Sequence, residues 1–102
     1  EFQKDFKSRC DLFEERSKKL INYDIITNIN TKGMVTGIIT KEAETATNIV
    51  KRCIENGVLP VCTFKNSIKL GPPLTITPDA INEAFDVIEK CVMEIENEQI
   101  SP

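Results

Sequence analysis

Histidine is absent from this chain. Its absence excludes Ser–His and Cys–His pairs for nucleophilic catalysis and removes the commonest nitrogen ligand of zinc. Glycine is scarce, with four residues, and neither a G-x-x-x-x-G-K-[ST] nor a G-x-G-x-x-G phosphate-binding loop occurs. The G-x-S-x-G elbow is missing as well, and Ser8, Ser17, Ser67 and Ser101 have no visible base partner. No apolar run approaches the roughly 18 residues that cross a bilayer, and no basic-then-apolar signal opens the chain. No membrane partner is expected. Positive charge is not in excess: 13 Lys and Arg stand against 16 Asp and Glu, for a net charge of −3 and a pI near 5.0. The cations are interspersed with acids, so the basic stripe of a nucleic-acid reader is lacking. Four cysteines, Cys10, Cys53, Cys62 and Cys91, fit no CxxC or zinc spacing, and no metal site is expected. Their even number would suit disulfides in a secreted protein. Cys10, Cys53 and Cys91 fall on apolar helical stripes, however, so buried thiols in a reducing cytoplasm are the expectation.

What the chain does contain is ordinary globular material. Apolar residues make up 40% and charged residues 28% of 102 residues, a balance unlike that of a disordered tail. A chain of this size buries somewhat over about 60% of its unfolded surface, enough for one modest core. One domain over residues 1–102 is expected. Its opening on Glu1 rather than methionine suggests a piece of a longer protein.

Hydrophobic periodicity predicts seven elements. Phe2, Phe6, Cys10, Phe13 and Leu20 mark one face of a helix over Phe2–Ile21. Tyr23, Ile25, Ile26, Thr27 and Ile29 favour a strand within Asn22–Asn30. After a turn at Thr31-Lys32-Gly33, Met34–Thr40 is a second strand. It carries Gly37, a residue that weakens a strand unless something must approach closely there. Thr40 is an expected N-cap, followed by Glu42 and Glu44 in the first turn and by apolar residues from Ala43 to Ile54 at helical spacing. Gly57 supplies the left-handed stop. Val58–Phe64, with Pro60 as a candidate break, and Ile68–Leu70 are the third and fourth strands, with a turn at Lys65-Asn66-Ser67. Thr77, Pro78 and Asp79 open a last helix whose stripe runs through Ile81, Phe85, Ile88, Cys91, Val92 and Ile95. A frayed polar end is expected from Glu96. The fold class is α+β in the order α-β-β-α-β-β-α, a small antiparallel sheet covered by helices.

Little catalysis is visible. The carboxylates lie at helix starts and on helix surfaces, where solvation accounts for them. One stretch, Ile68 to Pro78, is unusual because Lys69 places a cation in a short apolar strand directly before a rigid Gly71-Pro72-Pro73 corner. A strand end, a stiff turn and a capped helix would explain it structurally, with Lys69 snorkelling to solvent. Functionally, the same placement would aim an ammonium at an anionic ligand.

This stretch resembles the C-terminal signature of the class III aminotransferases of fold-type I. Gly57-Val58-Leu59 opens the segment, Lys69 precedes Pro72-Pro73-Leu74, and Thr75-Ile76-Thr77-Pro78 leads into Ile81-Asn82-Glu83-Ala84-Phe85. Upstream, Lys32-Gly33-Met34-Val35-Thr36-Gly37-Ile38 is similar to the family's Gly-Leu-Met-x-Gly-Ile strand. There are two departures. Asn30-Thr31 stands where the family usually has Arg-Gly, and Lys69 stands where members commonly have an arginine, which in several of them binds a substrate carboxylate. Lysine keeps the charge and loses the planar bidentate fork.

The resemblance implies a C-terminal small domain that packs on a large domain carrying pyridoxal 5'-phosphate, in a homodimer acting on a small-molecule amino donor and a 2-oxo acid. It implies that Lys69, Gly71, Pro72 and Pro73 form part of the substrate pocket. No catalytic or cofactor-binding residue is assigned to this chain, which is expected to be inactive alone. The alternatives are a free-standing α+β interaction or regulatory domain, and a degenerate aminotransferase-like domain without catalysis.

Overall fold

The fold is taken from a computed structural model, which describes residues 2–73 and 76–100. Its elements follow the expected order: α1 (Phe2–Lys19), a 3-10 turn (Leu20–Asn22), β1 (Ile26–Lys32), β2 (Val35–Thr40), α2 (Ala43–Glu55), β3 (Val61–Phe64), β4 (Ser67–Leu70) and α3 (Pro78–Ile100). The strands form one four-stranded sheet in the order β1-β2-β4-β3, with each neighbouring pair antiparallel.

Strand alternation sorts this sheet into two unlike faces. Thr36, Ile38 and Thr40 on β2, with Ile68 and Leu70 on β4, are buried. Thr36 is in register with Leu70, and Ile38 with Ile68, so these residues share the inner face. α1 lies along β1, α2 across β2, β3 and β4, and α3 against both other helices. Phe13 of α1 meets Phe85 of α3 edge-to-face, with ring centroids 5.3 Å apart. Nearby, the buried Arg16 joins the same two helices. It donates to the Asn82 side chain at 2.8 Å, to Asp86 at 2.8 Å and to Glu89 at 2.7 Å. Burial pulls the Arg16 pKa down, but its hydrogen bonds to both carboxylates outweigh that effect, and the net shift is upward.

Local signals account for several element ends. Thr77 Oγ1 accepts from the Ala80 N–H at 3.2 Å, so Thr77 is the N-cap and Pro78 the first helical residue. Gly57, at φ +90°, ends α2. There the Val58 N–H bonds to the Cys53 carbonyl and the Gly57 N–H to the Ile54 carbonyl, the Schellman pattern.

Several element bounds are corrected. The third strand starts at Val61 rather than Val58, after Pro60, which has no N–H for the ladder, and the fourth includes Ser67, which pairs with Phe64. The first strand starts at Ile26, because a 3-10 turn prolongs α1 and the Ile25 N–H is taken by Glu96 Oε1. That strand extends to Lys32, since Thr31 and Lys32 pair with Thr36 and Val35, leaving a turn at Gly33 and Met34 with Gly33 at φ +60°. Thr40 is not the cap of α2. As an inward residue of β2 it donates its hydroxyl to the Glu42 carbonyl at 2.7 Å, and α2 starts at Ala43 with no side-chain cap bond. The last helix does not stop at Glu96 but runs to Ile100, held by Arg52 to Glu98 and by Gln99 to Thr45.

Candidate functional site

Lys69 sits on β4 between two residues that face the helices. The alternation of the strand sends Lys69 to the opposite, helix-free face, where it is exposed. Among the described residues, no hydrogen bond or ion pair is recorded for its ammonium. In register with it stand Gly37 on β2 and Val61 on β3, and Gly37 in turn pairs with Asn30 on β1. A row of Asn30, Gly37, Lys69 and Val61 therefore crosses the open face. A Cβ added at Gly37 would meet nothing closer than the Asn30 carbonyl oxygen, at 3.8 Å. Packing does not demand a glycine there, and the result is a bare patch of backbone beside the ammonium.

The chain leaves the sheet at Gly71-Pro72-Pro73, where neither proline can donate a ladder hydrogen bond. The corner is fastened by the Ile76 N–H bonding to the Pro73 carbonyl at 3.0 Å. It meets the Gly57-Val58-Leu59 segment across a cleft of about 390 Å³ whose walls include Val58, Leu59, Leu70, Pro72 and Ile76. Thus two blocks that lie apart in the sequence face each other in space. Gly71, Pro72 and Pro73 line this cleft, whereas Lys69 stands outside it on the sheet face. Leu74, which the sequence places in the same corner, lies outside the described residues.

The open face also carries apolar surface that the periodicity did not reveal. Val35, Val61 and Phe64 are exposed, Phe64 to 81%, and Leu59 at the cleft mouth to 76%. Every residue of β3 is exposed. The sequence signal for this short strand was the candidate break at Pro60. No group of three or more potential metal ligands comes together among the described residues. No helix among the described residues is long and apolar enough to cross a membrane. Among the described residues, the cleft wall includes neither a lysine nor a carboxylate.

The comparisons with known proteins bear on the origin of this arrangement. The family model described as aminotransferase class-III matches residues 1–92. The chain belongs to this family. The mitochondrial acetylornithine aminotransferase of Debaryomyces hansenii is 30% identical over 97 residues, covering 93% of this chain and 21% of that protein. The mitochondrial ornithine aminotransferase of Rattus norvegicus is 32% identical over 72 residues, 69% of this chain and 16% of that protein. Among solved structures, acetylornithine aminotransferase from Elizabethkingia anophelis matches with a TM-score of 0.82 and 32% identity, over 91% of this chain and 24% of that one. A PLP-bound aminotransferase mutant from Vibrio fluvialis has the same fold, with a TM-score of 0.83 at 20% identity, over 95% of this chain and 24% of that one. This class III chain thus spans about a fifth of the length of the curated relatives it matches.

Proposed function

We propose that this chain is the C-terminal small domain of a pyridoxal-phosphate-dependent class III aminotransferase, and that its helix-free sheet face packs against the large domain of the same protein. The parent enzyme would be a homodimer that moves an amino group from an amine or amino acid to a 2-oxo acid. The observation that carries this reading is the open face itself. It combines an unpaired lysine, a glycine gap and exposed apolar side chains within a family whose members are several times longer.

In this reading, Val35, Val61 and Phe64 supply apolar area for docking, at about 25 cal/mol per Å² removed from water. Lys69 remains free to meet a substrate carboxylate at the seam. The Gly71-Pro72-Pro73 corner stiffens the wall beside it. The cofactor, held by the large domain, supplies the electron sink for the substrate carbanion. This chain's residues orient the substrate and exclude water, and the chain alone is inactive.

Steady-state kinetics of the full-length enzyme test the assignment. A hydrogen bond to a charged group is worth about 1.5–3 kcal/mol, so Lys69→Ala should lower kcat/KM roughly tenfold to a hundredfold. Lys69→Arg should retain or improve activity toward dicarboxylic 2-oxo acids, because the fork restores bidentate geometry. If Lys69→Ala matches wild type with every accepted substrate, Lys69 is not in the pocket.

A further inference from the structure

The stop of α2 is built from Asn56 and Gly57, and both residues are exposed. The left-handed turn, with Gly57 at φ +90°, favours glycine there. Glycine also leaves its own backbone nitrogen unshielded, because it has no Cβ. Every other asparagine in the chain precedes a residue with a side chain. Asn56 is thus the asparagine whose side-chain amide is most open to attack by the next backbone nitrogen. Two hydrogen bonds restrain the reacting groups. Asn56 Nδ2 donates to the Arg52 carbonyl at 2.8 Å, and the Gly57 N–H donates to the Ile54 carbonyl at 3.1 Å. Arg52, which supplies the accepting carbonyl, is itself tied to α3 through Glu98 at 2.7 Å and Glu94 at 3.6 Å. The proposed role in an aminotransferase makes no use of Asn56.

We propose that Asn56 is a deamidation site of the folded chain, gated by opening of the α2 C-cap. Local opening of a helix end costs less than global unfolding, and here it frees both restrained groups together. The Gly57 nitrogen then gives up its proton to solvent and attacks the Asn56 Cγ. The N–Cγ bond forms, the Cγ–Nδ2 bond breaks, and Nδ2 leaves as ammonia with the proton returned. Water opens the resulting succinimide at Cγ, giving aspartate, or at the main-chain carbonyl carbon, giving isoaspartate. Nothing is oxidised or reduced. Either product replaces the Nδ2 donor by a carboxylate, which cannot bond to the Arg52 carbonyl. It also sets a negative charge at the negative end of the helix dipole. The same charge enters a hollow of about 160 Å³ that Glu83 of α3 already lines. Isoaspartate further lengthens the backbone by one carbon, which is incompatible with the Val58 N–H bond to the Cys53 carbonyl. Conversion therefore loosens the Gly57-Val58-Leu59 wall of the cleft.

The test incubates the 102-residue chain in mildly alkaline buffer, native and urea-unfolded, and maps tryptic peptides over time. Chromatography against synthetic peptides separates asparagine, aspartate and isoaspartate at position 56. Both products should accumulate in the native chain, with conversion roughly tenfold or more slower than in urea, as opening limits it. Arg52→Ala, which releases the last turn of α2 from α3, should speed native conversion severalfold and leave the rate in urea unchanged. Circular dichroism confirms that each chain starts folded. Asn56→Asp, the aspartate product made directly, should melt at a lower temperature than the parent chain. Equal rates in native and unfolded chains overturn the gate. Asparagine retained at position 56 in both native chains, over the time in which the urea sample converts fully, overturns the site.

Discussion

Lys69 and its neighbours Ile68 and Leu70 occupy adjacent positions of β4, yet only the lysine faces away from the helices. The unusual placement was legible in the sequence, as one cation in a short apolar strand. Its pairing with Gly37 was not, because register across non-consecutive strands leaves no local trace. An exposed side chain with no recorded partner contributes little to folding. Lys69→Ala should therefore change stability by less than about 0.5 kcal/mol in urea titrations, which separates a binding role from a structural one. Cys53 behaves in the opposite way. Its thiol moves from an ordinary 9.0 to about 12 in the fold, mainly through burial. The folded thiol thus keeps its proton while the unfolded one loses it. The resulting stability is complete below 9.0 and is lost as pH rises toward 12. Unfolding free energy should fall by about 1.4 kcal/mol per pH unit from this group in that window. Urea titrations at pH 8, 9 and 10 should show a shallower decline for Cys53→Ala, and equal slopes would contradict the burial argument.

Among the elements, α3 is joined to α1 through Arg16, to α2 through Arg52 and Thr45, and to the Ile25 backbone through Glu96. Phe85 is almost fully buried against Phe13, as its place in the apolar stripe indicated. Truncating a buried phenylalanine typically costs about 3–5 kcal/mol, a large share of the roughly 5–15 kcal/mol that holds such a domain together. Phe85→Ala should therefore lower the urea midpoint sharply. A loss below about 1 kcal/mol would mean that this face is not in the core. The polar seam between α1 and α3 escaped periodicity, since Arg16 has the composition of a surface residue and is buried only because Asn82, Asp86 and Glu89 converge on it. Arg16→Met keeps the apolar stem and removes the charged hydrogen bonds, so it should cost about 1.5–3 kcal/mol by denaturant titration. Element ends divide by the same logic. Thr77 and Gly57 act through backbone groups a few residues away, and the sequence displays them. Thr40 and the end of α3 are decided by Asn66, Arg52 and Thr45, which are distant in the chain.

At the scale of the molecule, the α+β class and the order of elements followed from periodicity, turn residues and caps. The strand order β1-β2-β4-β3 did not, because inserting β4 between β2 and β3 is a tertiary choice. That choice positions Lys69 beside Gly37 and leaves one sheet face without helices. The proposed docking of this face on a large domain assigns the cofactor lysine to that domain and the pocket wall to this one. Titrating pyridoxal 5'-phosphate into the 102-residue chain, followed by borohydride reduction and peptide mapping, tests that division most directly. The account predicts weak, substoichiometric adducts spread over exposed lysines. A stoichiometric adduct at one lysine would contradict it.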